Sequence, residues 1–133
     1  MVKYPINKNP ILPPKLSNKI GVYVIFARNE HGAIPISRVL DIDCEGRLYI
    51  GQTSDTFEER LQMFKRVMKP NYKSTGHSGA LNLKEIELLR NKFTIETIYV
   101  GVIEYPSPKE LEEKMLEEYR QEFGEVPPLN NSK

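Results

Sequence analysis

Between Lys19 and Ala27 the chain reads KIGVYVIFA, a β-branched and aromatic run without a break. A run this short, continuous rather than alternating, reads as a buried strand and not as one face of a helix. Ile34–Ile42 is a weaker strand candidate. After a turn at Glu45-Gly46, Arg47–Gln52 (RLYIGQ) offers a third, and Phe93–Ile103 is the longest β-rich stretch. Ser54 and Asp55 can cap a helix from Thr56 to about Lys69, with Glu58 three positions after Asp55 as in a capping box and Pro70 as its stop. A second helix is expected over Ala80–Asn91. Ser107-Pro108-Lys109-Glu110 carries the N-cap, N1 proline and N3 glutamate of a third, ending at Phe123-Gly124. This order predicts an α/β (α+β) class, with a small three-stranded, mainly antiparallel or mixed sheet flanked by helices.

A length of 133 residues fits one compact domain and not two ordinary ones. Pro5, Pro10, Pro13 and Pro14 argue against helix or central strand in the first sixteen residues. Residues 1–18 are therefore expected to form an extended arm, lying on the domain or trailing from it, and residues 19–133 the domain itself. The single cysteine, Cys44, excludes a disulfide framework, a cysteine zinc site and an iron–sulfur cluster. No apolar run approaches the ~20 residues that span a bilayer. With no signal peptide ahead of the domain, a cytoplasmic protein without a membrane partner is the expectation.

The net charge of +1 excludes a polybasic protein whose whole surface is its function, but it hides an asymmetry. From Arg60 to Gly76 there are five basic residues (Arg60, Lys65, Arg66, Lys69, Lys73) and no acid, with Phe64 and Tyr72 among them. Cations interleaved with aromatics are the footprint of phosphate binding, and also of an ordinary solvated helix face.

Helical periodicity singles out two of these charged residues. In the last helix Leu111, Met115, Leu116, Tyr119 and Phe123 form the apolar stripe, and Glu112 falls about 24° from its centre at ~100° per residue. A carboxylate there must be paired, protonated or bound to a cation. A salt bridge to Arg60 and a metal ion both meet that need. In the earlier helix Arg60 lies on the border of the stripe made by Phe57, Leu61, Phe64 and Met68. From a border position its stem can pack while its guanidinium faces a cleft. In the strands, Tyr23 and Tyr49 each have opposite parity to their apolar neighbours, so both phenols can project from one sheet face if the strands pair. His31 falls in a turn and reads as surface. His77, in Gly76-His77-Ser78-Gly79, is placed to touch phosphate, to move a proton, or merely to face solvent.

Gly21-Val22-Tyr23, Tyr49-Ile50-Gly51, Arg60 in the next helix, Glu112 in a later one and Asn130 in Pro127-Pro128-Leu129-Asn130 together resemble the GIY-YIG nuclease domain. The resemblance spans about Ile20 to Asn130, and Glu112 with Met115-Leu116 and Tyr119 is similar to the family's glutamate motif. Three features depart from the pattern. The separation from Val24 to Leu48 is long, Gly51 to Arg60 is nine positions, and Phe64 stands where many members carry His or Tyr. His77 is the residue left for that assisting role.

The resemblance implies a metal-dependent endonuclease acting on DNA, with RNA left open, and a single Mg²⁺ or Mn²⁺ held by Glu112. Arg60 would stabilise the pentavalent phosphate, Tyr23 or Tyr49 would deprotonate or orient water, and Asn130 would hydrogen-bond behind them. Gly51, Lys65, Arg66, Lys69 and Lys73 are expected against nucleic acid. A homodimer or a separate targeting protein is left open. A non-catalytic nucleic-acid-binding domain on the same scaffold is the competing reading, and an interaction module with a structural Arg60–Glu112 pair is a third.

Overall fold

The computed structural model describes residues 1–69, 77, 79–80 and 93–130. Its elements are β1 (Tyr4–Pro5), α1 (Pro14–Ser17), β2 (Gly21–Asn29), β3 (Gly32–Ala33), β4 (Ile36–Ser37), β5 (Ile42–Asp43), β6 (Arg47–Thr53), α2 (Phe57–Val67), a 3-10 turn (Ile95–Thr97), β7 (Ile98–Glu104) and α3 (Pro108–Phe123). The class is the one expected, a sheet flanked by helices with antiparallel pairings, but among the described residues the sheet has five strands and not three, because the arm adds β1 to β7 and a short return adds β3 to β2.

β2 lies between β6 and β7, and every residue from Gly21 to Ala27 is buried. Its continuous apolar run follows from having a helix on each side. Tyr23, Ile25 and Ala27 enter one core with Phe57, Leu61, Phe64 and Val67 of α2. Val22, Val24 and Phe26 enter the other with Tyr119 and Phe123 of α3. Each large side chain removed from water contributes about 1.5–3 kcal/mol, so β2 is the element to which both layers are fastened.

The two ends of the chain close the sheet. β1 pairs with β7, and Ile6 N–H donates to Ile98 O (3.1 Å). Ile6, Ile11 and Leu12 are buried in the α2-side core, and Glu58 accepts from the Ile11 and Leu12 N–H groups (3.4 and 3.3 Å). The proline-rich arm is thus packed on the domain. Part of it is helical, contrary to expectation: Pro13 is the N-cap of α1 and Pro14 begins it, where a missing N–H costs nothing. At the other end, Leu129 N–H donates to Leu48 O (2.8 Å) on the free edge of β6.

Other expectations shift locally. Ile34–Ile42 is not one strand but the β4–β5 hairpin, turned at Arg38 N–H to Asp41 O (3.0 Å). Leu40 N–H donates to Phe123 O (3.0 Å) and Val39 N–H to the Glu125 carboxylate (3.0 Å), so the hairpin is bent onto the end of α3. Strand β7 begins at Ile98 because the 3-10 turn takes up Ile95–Thr97. The cap of α2 is Thr56, whose Oγ1 accepts from Glu59 N–H (3.2 Å). It lies one position beyond Asp55 and leaves Glu58 free to hold the arm. Ser107 is the N-cap of α3 without a side-chain cap bond, and Gly124 closes that helix in the left-handed region at φ 81°. His31 is exposed, as expected for a turn between β2 and β3. The helix expected over Ala80–Asn91 lies, apart from buried Ala80, outside the described residues.

Candidate active site

Register places the two tyrosines together. Tyr23 of β2 stands opposite Gly51 of β6, and Ile25 opposite Tyr49, so the phenols are diagonal neighbours on the α2 side with ring centroids 6.0 Å apart. Both glycines of the two triplets have steric reasons. A Cβ on Gly51 would lie 2.6 Å from the Tyr23 hydroxyl and 2.6 Å from the Tyr49 ring. A Cβ on Gly21, at φ 152°, would collide with the Ile103 carbonyl oxygen. Gly51 is buried beneath the rings and makes room for them.

Two nitrogens converge on the Tyr23 hydroxyl. Arg60, in the first turn of α2, donates from Nε at 3.4 Å, and His77 places Nε2 at 2.6 Å. The other ring nitrogen of His77, Nδ1, accepts from Ala80 N–H (3.2 Å). The imidazole is fully buried among aromatics: Phe64 meets it edge-on at 4.9 Å, and Tyr49 and Tyr23 lie at 5.3 and 5.8 Å. Gly79 passes so close to Tyr49 that an added Cβ would come within 2.8 Å of its ring. Phe64 therefore fills its helix position by seating the histidine that arrives from another segment.

Burial sets the ionisation of this cluster. It presses the His77 pKa down to about 3, with Arg60 adding to the effect, so the ring is neutral. It also raises the Tyr23 pKa above the phenol value, helped by Tyr49 and Glu112 and opposed by Arg60. Glu112 is half-buried at the start of α3, and its carboxyl pKa is raised by desolvation and by Glu113 against the pull of Lys109. No ion pair joins Glu112 to Arg60.

Among the described residues no group of three or more His, Cys, Asp and Glu side chains is arranged to hold a metal. The site offers one carboxylate, with no hydrogen bond or ion pair to a described residue. That donor set fits a hard cation of the Mg²⁺ kind, which keeps several waters and binds through one or two carboxylates plus substrate phosphate.

The remaining site candidates are dispersed. Asn130 does not join the cluster: its Oδ1 accepts from Ile50 N–H (3.0 Å) and its Nδ2 donates to Ile50 O (2.9 Å). It replaces a neighbouring strand for the residue between Tyr49 and Gly51. Lys65 donates to the Lys8 carbonyl (3.1 Å), while Arg66 and Lys69 are exposed. Lys73 lies outside the described residues.

Sequence reasoning passed over Asp43. This fully buried carboxylate accepts from the Tyr119 hydroxyl (2.9 Å), from Glu45 and Arg47 N–H, and from the Arg47 guanidinium. Arg47 in turn lies 5.0 Å over the Tyr119 ring, which ties the entry of β6 to α3. An aspartate two residues before a Glu-Gly turn gives no sign of burial. Gln52 was passed over as well, and its Oε1 is buried without a hydrogen-bond partner.

No family model, curated protein or solved structure matches this chain.

Proposed function

We propose that the chain is a metal-dependent endonuclease of the GIY-YIG kind that hydrolyses phosphodiester bonds in DNA. One observation carries this reading: Arg60 and His77 converge on the Tyr23 hydroxyl, beside Tyr49. A buried neutral histidine and a raised phenol in contact through one oxygen are costly to stability. Such an arrangement is expected where charge develops during a reaction.

Each residue then has a task in the hydrolysis. The Arg60 guanidinium meets the extra negative charge of the pentavalent phosphorus. The paired phenols orient the attacking water and a phosphate oxygen. Glu112 holds Mg²⁺ or Mn²⁺, which when bound supplies Lewis-acid stabilisation of the phosphate and of the departing oxygen. Asn130 fixes the backbone between Tyr49 and Gly51, and so the spacing of the two rings. Arg66 and Lys69 give a solvent-facing cationic edge for the DNA backbone.

The reading places this work in the cytoplasm, where an exposed thiol at Cys44 is compatible with reducing conditions. Supercoiled plasmid incubated with Mg²⁺, and in parallel with chelator, tests it. Nicked and linear products with the metal alone are expected. Retarded but intact plasmid would favour a non-catalytic nucleic-acid-binding domain.

A further inference from the structure

We infer that His77 is a positioning residue that donates a hydrogen bond to Tyr23 and cannot accept the tyrosine's proton, so that the Tyr23 hydroxyl is turned toward the substrate as a donor. This deepens the nuclease reading and rests on it for the identity of the substrate oxygen. The polarity of the His77–Tyr23 bond does not rest on it.

The polarity follows from a backbone group. Ala80 N–H points at Nδ1 of His77, 3.2 Å away, and an N–H can only donate. Nδ1 must therefore offer its lone pair. A neutral imidazole has one lone pair and one proton, so the proton sits on Nε2. The 2.6 Å contact then runs from Nε2–H to the Tyr23 oxygen. The reverse tautomer would set Nδ1–H against Ala80 N–H inside a buried pocket, where two opposed donors cannot both be satisfied.

Arg60 Nε–H is the second donor into the same oxygen, at 3.4 Å. A phenol oxygen has two lone pairs and one proton, and both lone pairs now face N–H groups. Its proton is directed away from them, and no described residue accepts it. Burial keeps this phenol protonated and this imidazole neutral, as the donor assignment requires. Tyr23 is fully buried, so in the hydrolysis a phosphate oxygen must enter its pocket to accept from the O–H as negative charge gathers there. No proton is transferred to His77; the proton lost by the attacking water passes through solvent to the departing oxygen.

The seat of the ring explains why His77 stands outside α2. Phe64, at the α2 position facing the site, meets the imidazole edge-on at 4.9 Å and fixes its plane. Together with the Ala80 amide, this sets both the orientation of the ring and its tautomer.

Two measurements test the inference. Long-range ¹H–¹⁵N correlation spectra of the protein labelled at histidine nitrogens read the tautomer of His77 without reference to activity. An Nε2–H ring between pH 6 and 8 is expected, and an Nδ1–H ring or an imidazolium there would overturn the polarity. Cleavage of Mg²⁺-loaded supercoiled plasmid by His77→Gln and His77→Leu gives the second reading. Gln keeps an N–H donor, so it should retain cleavage within about tenfold of the parent, whereas Leu should lose about 10²-fold. A Gln variant as inactive as Leu would mean that His77 accepts a proton, and would overturn the donor assignment. If the parent itself cleaves nothing, the nuclease reading fails and the spectra alone decide the tautomer.

Discussion

Gly51 and His77 show how narrow the tolerances around Tyr23 are. A methyl group at position 51 would lie 2.6 Å from both tyrosine rings, inside any allowed contact, so the rings must part or the strand must bow. Gly51→Ala should destabilise the fold by about 1–3 kcal/mol and lower the Tm, a change read directly by thermal melts. His77 gives a pH signature with a definite sign. Its pKa is about 3 in the fold against the ordinary 6.5 of a free imidazole, so the unfolded chain takes up the proton first as pH falls. Its stabilising effect is complete above pH 6.5 and is lost progressively between 6.5 and about 3. Denaturant midpoints measured across that window should fall for the parent and fall less for His77→Gln. Equal slopes would mean that the imidazole is charged in the native state. The parity of Tyr23 and Tyr49 was legible in the sequence, since strand alternation assigns faces without further information. The donor pattern on Tyr23 was not, because it depends on an Ala80 amide that no spacing rule connects to residue 23.

Among the elements, β2 was the most readable, because a strand covered on both faces leaves an unbroken apolar run. The hairpin of β4 and β5 was the least. Its two-residue strands are held by Phe123, Glu125 and Val126 at the far end of the chain, and nothing local in Ile34–Ile42 requires them. The cap of α2 moved by one residue because Asp55 and Thr56 are both competent caps and a tertiary demand decided between them. Glu58 is needed by the Ile11 and Leu12 amides. The outer face of α2 is the proposed nucleic-acid edge; Lys65 is partly engaged there by the Lys8 carbonyl, and the exposed Arg66 and Lys69 are the cleaner probes. Charge reversal at both should weaken binding to every duplex sequence alike and lower the slope of log affinity against log salt by about 1 per cation removed. Titrations at several salt concentrations check this, and an unchanged slope would place the DNA elsewhere.

Taken as a whole, the molecule is a central sheet that the chain's two ends finish, the arm along β7 and the tail along β6. Asn130 is where that closure meets the site, holding both backbone groups of Ile50 between Tyr49 and Gly51. Asn130→Ala leaves those groups unpaired, and should cost about 1–3 kcal/mol in chemical denaturation while reducing cleavage through Tyr49. The fold class was legible from the order of elements. The integration of the arm was not, because prolines mark where helix stops without showing what an extended segment lies against.

The account's central claim is that the Tyr23 cluster acts on a phosphodiester and does not merely hold nucleic acid. Arg60→Lys separates the two, since it keeps the positive charge and removes the planar fork that donates to Tyr23 and is proposed to meet the phosphate. The decisive measurement is single-turnover cleavage of plasmid in Mg²⁺, set beside duplex affinity for the same protein in Ca²⁺. The expected result is a loss in cleavage of about 10²-fold or more with affinity nearly unchanged. Equal losses in both, or cleavage unaffected by the substitution, would contradict it.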